Sequence, residues 1–90
     1  MGHDGLARAI RPAHTMFDGD TIFVLATGEV ELASLVGKGI FGSSEAAALN
    51  VIGSTAADTF ARAIIHAMLS AKSVSGFLCY CDYYPDACKK

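Results

Sequence analysis

The sequence TIFVLAT at residues 21–27 decides the fold class of this 90-residue chain. It is rich in β-branched residues and almost wholly apolar, which is typical of a strand covered on both faces. Such a strand needs neighbours on both edges, because its buried backbone N–H and C=O groups are otherwise unpaired. We place the strand at residues 20–27, between the turn signal Asp18-Gly19 and Gly28.

The residues before the strand predict the end of a helix over 3–11. Leu6, Ala9 and Ile10 lie on one helical face at spacing i, i+3, i+4. Pro12 ends this helix, because the residue before a proline is disfavoured in the α region. Almost no sequence stands ahead of it for a first turn, so we expect the beginning of the helix to be absent.

The residues after the strand predict a loop and then a long helix. The glycine-containing stretch 29–42 predicts a loop with a helical turn around 32–36. Residues 44–72 predict the long helix, capped by a serine at 43–44 and apolar along one stripe. Gly53 inside it costs about 1 kcal/mol against alanine, which predicts either a kink or close packing against another backbone.

The tail at residues 73–90 is aromatic and β-prone as far as Tyr84 and polar after it. One strand and this tail cannot close a sheet, so the missing strands must come from another polypeptide or another copy. We therefore expect residues 1–90 to form a single partial domain of the α/β class.

Composition excludes several classes of protein. Hydrophobic residues make up 52% and charged residues 18% of the chain, whereas a disordered chain needs low hydrophobicity and high charge. The net charge of −2 gives no basic surface for nucleic acid. The apolar runs are far below the ~20 residues of a membrane span, and no secretion signal precedes them. We expect a cytoplasmic protein that self-associates or belongs to a larger one, since small domains hide apolar surface poorly.

Asp18 and Asp20 are the candidate catalytic residues. They stand two positions apart directly before the predicted strand, where alternate residues point the same way. Neighbouring carboxylates suit acid–base work or the orientation of a nucleophile's proton acceptor. An Asp-Gly step before a strand is also ordinary turn chemistry, and on these residues alone the turn is the favoured interpretation. His14 stands four residues before Asp18 and is a candidate to join it, whereas a solvated side chain is the more common state of a lone histidine in a loop.

No metal or cofactor site is predicted. The cysteines all lie in the last dozen residues without paired CxxC motifs, so we expect reduced thiols at Cys79, Cys81 and Cys88. The histidines are scattered and form no HExxH pattern: His3, His14 and His66. The sequence GKGIFG at 37–42 lacks the residue order of a phosphate-binding loop and is interpreted as a flexible connection.

The sequence HDGLARAIRPAHTMFDGDTIFVLATG, residues 3–28, resembles the self-processing aminopeptidase and amidase family. This family includes the L-aminopeptidase/D-amidase–esterases and the nylon-oligomer hydrolases. The sequence AADTFARAIIHAMLSA at 56–71 looks like the closing helix of the family's small subunit, and the tail through Tyr84 resembles its end. The resemblance covers most of the chain, and the segments HDGLARAIRPAHT and DGDT are its most specific parts.

The resemblance implies an α/β/β/α sandwich made from one precursor, which cuts itself into a large and a small chain. The cut exposes a Thr or Ser at the start of the small chain, and this nucleophile uses its own amino group as base. In the nylon-hydrolase branch the two aspartates of DGDT flank the nucleophile, which carries that role onto Asp18 and Asp20. The Lys and Asn partners of that site belong to the large chain.

The chain departs from the family at its beginning. The family's nucleophile strand precedes the helix that ends in GLARAI, and here Met1-Gly2 stands inside that helix. We therefore expect the C-terminal part of a small subunit: a helix end, the central strand and the long C-terminal helix.

Two functions follow from this departure. The first is a portion of an autoprocessing amide-bond hydrolase that acts on a peptide or amide together with its precursor or large subunit and is inactive alone. The alternative is a non-catalytic, self-associating structural or interaction remnant, which forms a homo-oligomer.

Overall fold

The computed structural model describes residues 1–89, and helices dominate it. Helix α1 spans Gly2–Ala9, helix α2 spans Glu45–Ser70 and the short helix α3 spans Tyr80–Tyr83. Single 3₁₀ turns lie at Leu32–Leu35, Gly39–Phe41 and Pro85–Cys88. The first of these confirms the helical turn predicted around 32–36.

Helix α1 is shorter than the predicted 3–11. It ends at Ala9, and Ile10 is already extended at φ −120° and ψ 123°. The chain leaves the helix two residues before Pro12, where the proline restricts Arg11. Ala13, just beyond the proline, is one of the few buried residues of the chain.

Helix α2 begins within a residue of its predicted start at 44. The Ser44 hydroxyl accepts a hydrogen bond from the Ala47 backbone N–H at 3.1 Å and so caps the first turn. The helix runs unbroken through Gly53, where an added Cβ would meet the side chain of Met1. Gly53 is therefore closely packed, but against a side chain rather than against the second backbone that was predicted. The helix ends at Ser70, two residues earlier than predicted, because Ala71 is extended.

Helices α1 and α2 pack against each other through small residues. Gly5 is buried, and a Cβ added there would meet the Ala57 carbonyl oxygen and stand 2.9 Å from Phe60 Cβ. The absence of a side chain at Gly5 lets the two backbones approach this closely. At the edge of the contact the Arg8 guanidinium pairs with the Asp58 carboxylate.

Residues 20–27 have no strand partner within residues 1–89. The segment is neither helix nor strand there, and Phe23 and Leu25 are 90% and 92% exposed. Ile22 of this segment lies against Gly2 of α1. A strand needs a neighbouring ladder, and the described residues offer one isolated bridge, elsewhere, between Val74 and Phe77. The α/β fold class stays a prediction.

The tail differs from its prediction in two respects. Its aromatic stretch forms α3 rather than a strand, and the Tyr83 and Tyr84 rings pack with centroids 4.9 Å apart. The expectation of reduced thiols is wrong for two of the cysteines, because Cys81 and Cys88 form a disulfide. Helix α3 and the following 3₁₀ turn bring their Cα atoms to 5.6 Å, within bridging range. Cys79 is free.

The buried apolar residues of the described chain are all small. They are Ala13, Ala48 and Ala57, while many large apolar side chains face outward. Exposed apolar surface of this extent is typical of a contact face for another polypeptide. None of the helices within residues 1–89 has both the length and the apolar character needed to cross a bilayer.

Candidate functional site

The two candidate aspartates lie in a loop that is held at both ends. The buried Ala13 fixes one end, just after α1. Ile22 fixes the other end by packing against Gly2 at the start of α1. Residues 14–20 between these points form an exposed loop.

Each aspartate of the loop has its own hydrogen-bond partner. The Thr15 hydroxyl donates to Asp18 Oδ2 at 2.6 Å. His14 Nδ1 lies 3.0 Å from Asp20 Oδ2, a distance at which an Nδ1–H donates to the carboxylate. The Asp18 backbone N–H also bonds the Thr15 carbonyl oxygen, which tightens the turn.

The histidine is paired with a different aspartate from the one that the sequence indicated. His14 was the candidate partner of Asp18, but the loop folds back so that its ring faces Asp20. The His14 ring also lies beside His3 of α1, with ring centroids 5.5 Å apart. The candidate contact with Asp18 is therefore not formed, and the histidine bonds Asp20 instead.

Thr15 is the residue that sequence reasoning missed. The available signal was the spacing, since a turn brings residues three positions apart close enough for their side chains to bond. The turn predicted at Asp18-Gly19 lies earlier in the structure: it is formed by residues 16–17 and closed by the bond from the Asp18 N–H to the Thr15 carbonyl oxygen. Turn geometry and a chemical role are compatible, since each carboxylate is held through one oxygen.

The geometry gives two anchored carboxylates on an accessible loop. Asp20 is the more enclosed partner of its pair, with 28% of its side chain exposed against 52% for His14. An oriented carboxylate can accept a proton or stabilise positive charge that develops on a neighbouring group. Among residues 1–89 no three His, Cys, Asp or Glu side chains converge as metal ligands would.

The other motifs singled out in the sequence have structural roles. The Gly37 N–H bonds the Gly42 carbonyl, which closes the GKGIFG stretch into a compact loop where both glycines adopt positive φ. His66 lies on the outer surface of α2, where it borders a shallow hollow together with Arg62. Neither feature contacts the Asp18–Asp20 loop.

Comparison with known proteins gives matches along most of the chain. The sequence model of Peptidase family S58 matches residues 1–79. An uncharacterized aminopeptidase of Mycobacterium leprae is 48% identical over 84 residues, which cover 93% of this chain and 23% of that protein. An uncharacterized aminopeptidase of Mycobacterium tuberculosis is 47% identical over 85 residues, 94% of this chain and 25% of that protein. The chain thus spans about a quarter of the length of these relatives. No solved structure matches.

Proposed function

The chain belongs to peptidase family S58, and we propose that it is a portion of an autoprocessing amide-bond hydrolase of the aminopeptidase or amidase type. The family match over residues 1–79 is the observation that carries this proposal. Relatives named as aminopeptidases support a peptidase-like hydrolase. The amidase branch with an N-terminal nucleophile is the finer part of the proposal and rests on the resemblance of the HDGLARAIRPAHT and DGDT segments.

Asp18 and Asp20 are the residues that this chain contributes to the reaction. The nucleophile is a Thr or Ser hydroxyl supplied by sequence outside these 90 residues, with its own amino group as base. The amino group takes the hydroxyl proton as the hydroxyl oxygen attacks the amide carbonyl, and the resulting ammonium gives that proton to the leaving amine as the C–N bond breaks. Water then hydrolyses the ester formed on the nucleophile and restores the hydroxyl. Two anchored carboxylates beside these groups orient the proton acceptor and stabilise the ammonium charge that forms.

The proposed partner is the rest of the precursor or its large subunit, within an α/β/β/α sandwich. In that assembly residues 20–27 form a central strand between two neighbours. The exposure of Phe23, Val24 and Leu25 supports this arrangement, because neighbouring strands and covering layers would bury all three. A cytoplasmic location belongs to the same proposal.

The same exposed segment favours a second candidate function. Two copies of this chain can bury Phe23 and Leu25 against each other, which would make the chain a non-catalytic structural or interaction module. The two functions differ in what Asp18 and Asp20 do: the hydrolase needs their carboxylates for turnover, and the self-associating module does not.

The test compares aspartate variants in the hydrolase that contains this segment. Asp18→Asn and Asp20→Asn are each expected to lower kcat/KM by about 10²–10⁴-fold, the usual size of general acid–base effects, with little change in Tm. Asp4→Asn on α1 is the surface control and is expected to behave as wild type. Activity within a few-fold of wild type for both loop variants would favour the turn interpretation and overturn the site assignment.

A further inference from the structure

The two aspartates are hydrogen-bonded by two consecutive residues, Thr15 to Asp18 and His14 to Asp20. Thr15 Oγ1 donates to Asp18 at 2.6 Å, and His14 Nδ1 faces Asp20 at 3.0 Å. Each carboxylate is therefore oriented by a protein hydrogen bond to one of its oxygens. The hydrogen bond between Thr15 and Asp18 is sufficient to close a turn. The second hydrogen bond, between His14 and Asp20 six residues apart, is not needed for that turn.

The contact with Asp20 fixes which nitrogen of His14 carries a proton. A carboxylate only accepts, so the Nδ1 atom that faces it must be a donor. In the neutral ring the Nε2 atom is then left as an acceptor. The His3 ring lies beside the imidazole, with the ring centroids 5.5 Å apart. His14 thus has a ring neighbour as well as its hydrogen bond to Asp20.

We propose that His14 and Thr15 are positioning residues, which hold the carboxylates of Asp20 and Asp18 in the orientation that amide hydrolysis requires. This inference rests on the proposed function and names the residues on which the site's geometry depends. Neither residue contacts the substrate in this scheme. Each acts through the aspartate that it bonds.

Matched substitutions separate the hydrogen bond from the shape of each side chain. His14→Phe keeps a ring beside His3 but removes the donor, whereas His14→Asn keeps a donor near the Nδ1 position. Thr15→Val keeps the β-branched shape without the hydroxyl, and Thr15→Ser keeps the hydroxyl. The measurement is kcat and KM for an aminoacyl-anilide in the hydrolase that contains this segment.

His14→Phe and Thr15→Val are each expected to lower kcat by about 10–100-fold, the effect of losing one hydrogen bond to a charged group. KM should change by less than about threefold, because ground-state binding is not affected. His14→Asn and Thr15→Ser are expected to retain most of the activity. A purely structural role would instead lower Tm in the Phe and Val variants and leave kcat of the folded protein unchanged.

Nitrogen-15 NMR of the histidine rings in the same protein gives a readout besides activity. At a pH where the ring is neutral, His14 is expected to carry its proton on Nδ1, and Asp20→Ala should remove that preference. A neutral ring protonated on Nε2 in the wild type would overturn the inference.

The aspartate variants distinguish the two possible failures. If Asp18→Asn and Asp20→Asn abolish turnover while His14→Phe and Thr15→Val do not, positioning is wrong and the proposed function stands. If all four variants turn over as wild type, the assignment of Asp18 and Asp20 to the site is wrong and the positioning inference falls with it.

Discussion

Replacing Gly5 with alanine is expected to loosen the packing of α1 on α2. The added Cβ would run into the Ala57 carbonyl oxygen and would stand 2.9 Å from Phe60 Cβ. The carbonyl belongs to the backbone of a 26-residue helix and cannot rotate away. Helix α1 must therefore move outward as a whole, and the Arg8–Asp58 pair at the edge of the contact moves with it.

Two opposing effects determine how much Gly5→Ala changes the free energy of unfolding. Alanine is favoured over glycine in a helix by about 1 kcal/mol. Overpacking a tight contact costs about 1–3 kcal/mol, and an immovable backbone obstacle places Gly5 at the upper end of that range. The expected net loss of unfolding free energy is about 1–2 kcal/mol, or roughly 4–16 °C in Tm for a domain of this size.

Gly53 provides the matched control, since it is also a helical glycine with an obstructed Cβ position. Its obstacle is the side chain of Met1, whose Sδ atom would clash with the added Cβ, but this side chain is flexible and can move aside. Gly53→Ala is therefore expected to stabilise the chain by up to about 1 kcal/mol. Thermal unfolding followed by circular dichroism at one fixed protein concentration measures both variants. A Tm for Gly5→Ala equal to or above that of Gly53→Ala would refute the packing argument.

Two further outcomes are expected of the isolated chain. Ser44→Ala removes the cap bond to Ala47 and should lower the unfolding free energy by about 1 kcal/mol, whereas Ser44→Asp should retain the cap bond. Equal urea midpoints for the wild type and both variants would contradict the role of Ser44 as a cap. The chain should also self-associate at micromolar concentration through the exposed apolar residues around Phe23. Sedimentation velocity should then show species larger than the 9.4 kDa monomer. A stable, folded monomer would count against this prediction.

Local signals predicted the elements that local interactions stabilise. The long helix was identified from a serine cap and an apolar stripe, and the structure places its ends within two residues of the prediction. The turn around 32–36 was predicted in the same way. Residues 20–27 differ because a strand is stabilised by its neighbours, and the described residues supply none.

The tail and the loop that carries Asp18 and Asp20 contain contacts that residue spacing alone does not predict. Aromatic residues after Phe77 predicted a strand, but Ser73 accepts from the Cys79 N–H and donates to Asp82, which stabilises a helical turn there. In the loop, spacing identified Asp18 and Asp20 as a pair. The contact of His14 with Asp20 depends on how the chain folds back after α1, and residue spacing alone carries no information on that path.

The most direct test of the central claim, that this chain is one part of a hydrolase, is its turnover of an aminoacyl-anilide with and without the remaining sequence. The proposed function assigns the nucleophile to sequence outside these 90 residues, so the pure chain is expected to give no turnover above background. Co-expression with the remainder of the precursor is expected to restore time-linear hydrolysis, and the Asp20→Asn chain should fail to restore it. Linear turnover by the pure 90-residue chain, or full activity of the remainder without it, would contradict the account.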